Sequence, residues 1–471
     1  MLLVHPVTEL VKFLPVLLGL LLAGGASGAG PWALLGVGFP VALGVVRYLT
    51  TTYRVTTARV ELRRGLLQRH KLSTPIDRVR TVDLTASPIH RVLGLATVVI
   101  GTGSVASDAD ERLLLDALPR EHATALRVHL LESRAVPEGG GGTDTTAAGE
   151  EVIVRFSPRW LWYAPFSGTT LVAAGVVVGA AAQLSELVEI RITEDDVAAV
   201  DGAFLLAVAA GALVVAVVLA VAGYLVANGG FTLARAATAW HVRRGLLTRR
   251  ETSIDEARLA GVSVGEPAAL RLARGRRVGA IVTGLGSDAA GSAVLLPPAP
   301  AATAARAATA VLGTAGPVTG PLLPHGRAAT TRRFTRALLG AGPVVAACAV
   351  APALGAPAWT SAAVAMVAVI VALGLATDRA RSLGHGLLDG HVVTRSGSLL
   401  RRRDALAAPH VIGWNLRATW FQRRVGLVSV AATTAGGRGR VAVDDVPEPA
   451  ALALALAATP GLLDEFLEEH P

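Results

Sequence analysis

The chain has 471 residues, 52% of them apolar and 17% charged, a balance that points to the membrane class and away from a string of soluble domains. One cysteine, Cys348, excludes a disulfide framework and a thiolate metal cluster. A formal net charge of +9 suits an anionic partner, lipid or nucleic acid, and equally suits the charge bias that sets membrane topology.

From the N-terminus, Phe13 to Val46 carries no charge and reads as two apolar arms around Gly24 to Pro31, a hairpin rather than a removable leader. Each arm is near the short limit of roughly 17–25 residues for a crossing helix. The helices are therefore expected to reach Val7 and Leu49, with Lys12 and Arg47 at the interface; a re-entrant hairpin is the alternative. Tyr53 to Leu62 then alternates in the strand manner and ends at the turn signal Arg64-Gly65. Leu95 to Ile100 is a second, β-branched strand closed by Gly101, and Glu121 to Leu131 sets Leu126, Leu130 and Leu131 on one helical face. Pro137 to Gly149, with Gly139 to Gly142 at its centre, has the composition of a flexible tether.

Leu161 to Ser185 is uncharged and long enough to cross a bilayer, and Gly202 to Ala234 follows as a fourth span with Phe204 to Val226 as its core. Ala299 to Pro324 is rich in Ala, Pro and Gly, and its early part reads as a helix. Ala337 to Thr377 is again uncharged; Gly355-Ala356-Pro357, beside Trp359, splits it into spans five and six. Uncharged runs of this length without strand alternation must satisfy their backbone internally, as helices. The connections within pairs carry almost no cations: none in Gly24 to Pro31 or Ala351 to Ala358, and Arg191 alone in Gln183 to Val200. Lys12, Arg47, Arg54, Arg155, Arg159, Arg235, Arg332, Arg333, Arg336, Arg379 and Arg381 flank the opposite span ends. The positive-inside rule then puts both termini and everything between the pairs in the cytoplasm, at the plasma membrane.

A repeat organises the rest. Arg63-Arg64-Gly65-Leu66-Leu67-Gln68-Arg69 recurs as Arg243-Arg244-Gly245-Leu246-Leu247-Thr248-Arg249. A looser third copy, Arg395-Ser396-Gly397-Ser398-Leu399-Leu400-Arg401, aligns without a gap through Arg423-Arg424-Val425-Gly426-Leu427 onto Arg91-Val92-Leu93-Gly94-Leu95. Each copy follows an apolar pair, and strands with one terminal helix make a small α+β domain.

Tyr53-Arg54-Val55-Thr56, Arg63-Arg64-Gly65-Leu66-Leu67, Pro75-Ile76-Asp77-Arg78-Val79 and Arg91-Val92-Leu93-Gly94-Leu95-Ala96 together resemble the bacterial PH-domain family of YdbS- and YdbT-like membrane proteins. The longer, YdbT-like members combine paired transmembrane helices with several such domains. The resemblance implies a seven-stranded, strongly bent antiparallel sheet capped by a C-terminal helix, and it brings no catalytic residues and no ligand. The second copy departs from it at Leu272-Ala273-Arg274-Gly275-Arg276-Arg277, and the third at Ala408-Pro409-His410. The expected architecture is a multi-pass α-helical membrane protein with three PH-like cytoplasmic domains. In chain order it comprises hairpin 1 (1–50), PH-like domain 1 (51–134), a linker (135–155), hairpin 2 (156–228), a degenerate PH-like domain 2 (229–313), a linker (314–330), hairpin 3 (331–378) and PH-like domain 3 (379–465).

Candidate contacts are the basic clusters Arg63, Arg64, Arg69 and Lys71 in the first domain, Arg243, Arg244, Arg249 and Arg250 in the second, and Arg401, Arg402 and Arg403 in the third. Beside a bilayer each cation gains about 1 kcal/mol from anionic headgroups, although topology bias and turn solvation account for the same charges more simply. Nucleic acid ranks low as a partner, even for the patch Arg271, Arg274, Arg276 and Arg277, because no aromatic platform is interleaved and aromatics are 4% of the chain. The acids Glu186, Glu189, Glu194, Asp195 and Asp196 fall in the one substantial external loop and read as solvated charge. Trp160, Trp162 and Trp359 fit an interfacial belt, and Trp414, Trp420 and Phe421 are expected in the core of the third domain, with a membrane-dipping loop as the alternative. No metalloprotease, phosphate-loop or nucleophile-elbow motif occurs, and Gly101-Thr102-Gly103-Ser104 and Gly284-Leu285-Gly286-Ser287 read as turns. No enzyme activity, cofactor or metal site is expected. The function expected is a membrane-anchored scaffold whose PH-like domains bind another membrane protein or one another close to anionic lipid; the alternative is a component of lipid or peptide export through the six-helix bundle.

Overall fold

The computed structural model describes residues 52–56, 59–64, 70–75, 81–101, 113–132, 150–168, 175, 179, 202–236, 238–283 and 294–462. The first apolar hairpin, most of the third apolar segment, Arg69, the passage 137–149 and the acidic stretch 186–196 lie outside the described residues.

The strands, in chain order, are β1 (Thr52–Val55), β2 (Arg59–Arg64), β3 (His70–Pro75), β4 (Thr81–Ala86), β5 (Leu95–Gly101), β6 (Leu113–Pro119), β7 (Glu151–Arg155), β8 (Thr232–Ala236), β9 (Ala239–Arg244), β10 (Arg249–Asp255), β11 (Leu259–Pro267), β12 (Gly275–Val282), β13 (Val294–Pro300), β14 (Gly384–Leu388), β15 (His391–Ser396), β16 (Leu400–Ala407), β17 (Gly413–Arg417), β18 (Leu427–Thr433) and β19 (Arg440–Pro447). The helices are α1 (Pro88–Val92), α2 (Arg120–Glu132), α3 (Gly202–Asn228), α4 (Ala268–Leu272), α5 (Ala301–Leu312), α6 (Gly316–Thr319), α7 (Gly326–Val350), α8 (Ala358–Ser382), α9 (Trp420–Arg423) and α10 (Glu448–Ala458).

Apart from β7, the strands come in triplets. A leading triplet (β1–β3, β8–β10, β14–β16) is followed by a trailing one (β4–β6, β11–β13, β17–β19), which interposes a short helix after its first strand and ends in a longer helix, α2, α5 or α10. Among the described residues each PH-like segment thus supplies six strands in two antiparallel groups, where the resemblance implied a single sheet of seven. Local patterning explains the trailing strands. In β4, Val82 and Leu84 are buried while Asp83 and Thr85 between them are partly exposed, the period of two of a sheet with one covered face.

The sheets cross the segment boundaries. β4 pairs antiparallel with β10, from Thr81 opposite Ile254 to Ala86 opposite Arg249. β11 pairs in the same sense with β16, from Gly261 opposite Leu406 to Pro267 opposite Leu400. The trailing triplet of one segment is therefore continuous with the leading triplet of the next. Gly261 shows how close that approach is, since a Cβ there would collide with the carbonyl oxygen of Ala405.

The chain divides into two compact units, Met1–Glu151 with Gly230–Glu256, and Val152–Gly229 with Ala257–Pro471. In the first, strands run in the order β6-β5-β4-β10-β9-β8 beside a separate β1-β2-β3 sheet. Its core gathers Val82, Leu84, Val98, Ile100, Leu115, Leu118 and Ala123, with Leu126 of α2 packed against them. In the second, one sheet runs β13-β12-β11-β16-β15-β14 and another β17-β18-β19. Val392 of β15, Val428 and Val430 of β18, Val443 and Val446 of β19 and Leu454 of α10 form one core there. Ala260, Ile281, Leu406, Ala432 and Val441 form a second, and Trp414 borders both.

Among the described residues three helices are long and apolar enough to cross a membrane: Leu206–Asn228, Gly326–Leu354 (α7 with the 3-10 turn after it) and Ala358–Ser382. α7 begins at Gly326, upstream of the uncharged run that starts at Ala337. Hydropathy marks where a helix is apolar, not where it starts; Ala329 is buried with Leu383 and Leu427, so packing carries the helix past its basic residues. Residues 314–325, expected as part of a linker, are also packed: Pro317 and Val318 of α6 are buried, and Leu323 bridges to His385 of β14. Leu161, expected to open the third span, lies in a 3-10 turn, Pro158–Tyr163, that buries Trp160. Trp160 meets Phe156 edge to face at 5.8 Å, so it is a core residue and not a belt residue, whereas Trp162 and Trp359 are exposed.

Candidate interaction surface

The basic clusters have different fates. Arg63 and Arg64 end β2, with Arg63 opposite Lys71 and Arg64 opposite His70 on β3. Arg243 and Arg244 end β9, and Arg249 and Arg250 open β10. Three of the cations in this unit converge on one acid. Glu251 lies 3.2 Å from Arg127, 3.3 Å from Arg249 and 3.8 Å from Arg243. Arg243 also donates to Glu150 at 3.0 Å. Burial and then the neighbouring Arg250 hold Arg244 below its ordinary pKa, with Asp83 acting in the opposite direction. Arg250 is exposed.

The third cluster is structural as well. Arg401 donates to Asp378 at 2.6 Å, Arg271 grips the same carboxylate with both terminal nitrogens at 3.0 and 2.9 Å, and the Ser398 hydroxyl donates to it at 2.8 Å. Asp378 lies in the last turns of α8, so this cluster ties that helix end to α4 and β16. Arg395 adds a cap, donating to the carbonyls of Ser382 at 3.0 Å and Arg381 at 3.1 Å, where the C-terminal dipole favours a cation. Arg402 pairs with Asp404 at 3.0 Å. Arg403 donates to the carbonyls of Pro317 and Gly320, both at 2.8 Å; burial, with Arg395 nearby, pushes its pKa down to about 10, so it stays charged at neutral pH.

Asp445 is a second anchor, which sequence reasoning missed. It is 1% exposed and adopts φ 55°. Arg332 and Arg333 of α7 each lie 2.9 Å from its carboxylate, and Gln422 donates to it at 2.7 Å. Gln422 is itself fixed by a reciprocal capping box with Thr419. The only sequence signal was an acid, Asp445, inside the apolar strand β19; its cationic partners Arg332 and Arg333 are far off in the chain and read as topology signals. His90 does similar work in the first segment: its Nδ1 is 2.6 Å from the Ser87 hydroxyl and its Nε2 is 3.3 Å from Asp116 of β6.

Several large apolar side chains face outward. Val92 at the end of α1 and Leu93 after it, Leu246 and Leu247 between β9 and β10, Leu272 ending α4, Leu399 between β15 and β16 and Leu400 opening β16 are exposed. Trp420 and Phe421, expected in a core, are 49% and 66% exposed on α9. Four residues give α9 one turn, which cannot bury two rings when Gln422 occupies its inward position. The rings meet edge to face at 4.9 Å, and the Arg424 guanidinium sits 3.6 Å over Trp420. Trp414 meets the core expectation, its indole N–H donating to Thr459 at 2.8 Å.

Among the described residues no cluster of His, Cys, Asp or Glu could hold a metal ion. Searches of curated proteins and of solved structures found no match. The bacterial PH domain family matches residues 9–134 and 338–459, together more than half of the 471 residues. Both matches take in trailing triplets with their helices, α2 and α10. On that extent of match, the chain belongs to the bacterial PH domain family.

Proposed function

We propose that this chain is a multi-pass membrane scaffold: six spans in three pairs carry three PH-like domains on the cytoplasmic face of the plasma membrane, and these domains bind another membrane protein or one another. One observation carries the reading. The polar ends of α7 and α8 are clamped to PH-like strands through Asp445 and Asp378, so the last hairpin and its domain form a rigid platform instead of a tethered module. A binding surface held at fixed height over a bilayer suits assembly. The exposed Leu399 and Leu400 adjoin Ser398, which donates to Asp378, and they favour a rim lying in the lipid interface. The arginines behind that rim act mainly as structural cations, and exposed ones such as Arg250 remain for anionic headgroups.

The test uses the full chain in two assays. Crosslinking in intact membranes should yield a stoichiometric adduct with one membrane protein or with the chain itself, and vesicles holding the purified chain should move neither a lipid nor a peptide probe. Probe movement without any adduct would favour the export reading and overturn this one. A reporter fused at Pro471 that is active only outside the cytoplasm would overturn the orientation.

A further inference from the structure

The two junctions between consecutive segments are built alike. In the frame set by Arg63, Arg243 and Arg395, residues 81, 261 and 413 correspond, as do residues 74, 254 and 406. Thr81 stands opposite Ile254 at the first junction, and Gly261 stands opposite Leu406 at the second. The register is therefore identical. A side-chain bond repeats too: Arg91 donates to the carbonyl of Leu246 at 2.8 Å, and Arg271 to the carbonyl of Ser398 at 3.3 Å. In the same frame Arg91 corresponds to Arg271, and Leu246 to Ser398.

The last segment presents the same fittings with nothing seated on them among the described residues. β17 corresponds to β4 and β11, yet it pairs on one side only, with β18. Its Asn415, Leu416 and Arg417 are exposed. Arg423 corresponds to Arg91 and Arg271, is exposed, and has no side-chain partner among the described residues. Towards the other end β3 corresponds to β10 and β16, and among the described residues it too pairs on one side only, with β2. An edge strand with open N–H and C=O groups is a template for another strand, and here the chain has already used that template twice.

We propose that β17 of one chain takes β3 of a second copy, continuing the internal junction from molecule to molecule. The inherited register sets Gly413 opposite Thr74, Leu416 opposite Lys71 and Arg417 opposite His70, with Arg423 at the position that Arg91 and Arg271 hold at the internal junctions. The contact is heterologous, since each copy offers one β17 and one β3, so association runs head to tail and gives open chains or a ring within the plane of one membrane. This inference rests on strand order and is independent of whether the PH-like domains bind any other protein.

Directly opposed antiparallel residues lie within disulfide reach, their Cα atoms about 4.5–5.5 Å apart. In a full-length Cys348→Ser background, Leu416→Cys with Lys71→Cys should give an oxidation-dependent ladder of dimers, trimers and higher species in native membranes. Leu416→Cys with Leu72→Cys, one residue out of register and on the opposite face, should give at least tenfold less. Adding Arg423→Glu, at an exposed position, to the in-register pair should lower the crosslinked fraction several-fold. The proposal fails if the in-register pair yields no ladder, if both pairs crosslink equally, if the product is an internally bridged monomer, or if Leu416→Cys alone gives the same dimer through two β17 edges. Mass measurement of the unmodified chain in lipid nanodiscs supplies a readout free of cysteines: a monomer at every concentration tested would also overturn it.

Discussion

At the scale of single residues, Asp445 decides most. It is buried, its φ is 55° and two arginines face it, so a substitution can fail for charge or for backbone. Asn accepts the left-handed region and keeps a partner for Gln422, which isolates the charge. Asp445→Asn should destabilise the third domain by about 3–5 kcal/mol, because two guanidinium groups lose their counter-ion in a largely desolvated place. Chemical unfolding in detergent micelles measures it, and Asp445→Asn combined with Arg332→Met and Arg333→Met should recover much of the loss. A second residue-level prediction concerns His385, whose ring lies 4.9 Å from that of His325. Burial, and then His325, pushes the His385 pKa down from 6.5 to about 4. Its folded pKa is depressed, so the unfolded state binds more protons in between. The stability His385 contributes is full above pH 6.5 and is lost as pH falls toward 4. Unfolding midpoints should fall over that window, and His385→Leu should flatten the slope there; an unchanged slope would refute the assignment.

At the scale of elements, the junctions show what the sequence could reveal and what it could not. The three apolar helices among the described residues, the strand-helix order and the terminal helices were legible because each is a local pattern of hydrophobicity or turn residues, as in β5 and in α5 at Ala301–Leu312. The partner of β4 was not. A strand's own alternation states which face is buried and leaves open which edge is paired, so three repeats read naturally as three closed sheets. The partners of the arginines were not legible for a related reason: charge near a span end looks the same whether it meets lipid or, like Arg401, an aspartate of the helix itself. Gly261 gives the junction a direct test. Its Cβ position collides with the Ala405 carbonyl, so Gly261→Val should force β11 from β16 and cost about 1–3 kcal/mol or more. The amides of β11 and β16 should then exchange faster, while those of β4 and β10 keep their protection.

At the scale of the whole molecule, the unit of sequence and the unit of structure differ. Residues 229–313 read in the sequence as one copy of a repeat, but their leading triplet β8–β10 belongs to the first compact unit and their trailing triplet β11–β13 to the second. Excised alone, this segment would expose the edge of β10 that β4 covers over six residue pairs and the edge of β11 that β16 covers over seven. Open strand edges of that length invite aggregation. Residues 229–313 expressed alone should therefore be insoluble or lack cooperative unfolding. Joining β4–β6 with α2 upstream and β14–β19 with α10 downstream, by polar tethers in place of the apolar helices, should restore a cooperative transition if strand pairing is what is missing. Loss of Asp378 and of the Arg332 and Arg333 contacts in such a chain would still weaken it, so the restored transition should lie below that of the intact protein. A soluble, cooperatively folding 229–313 fragment would show that each copy closes on itself and that the junctions are secondary.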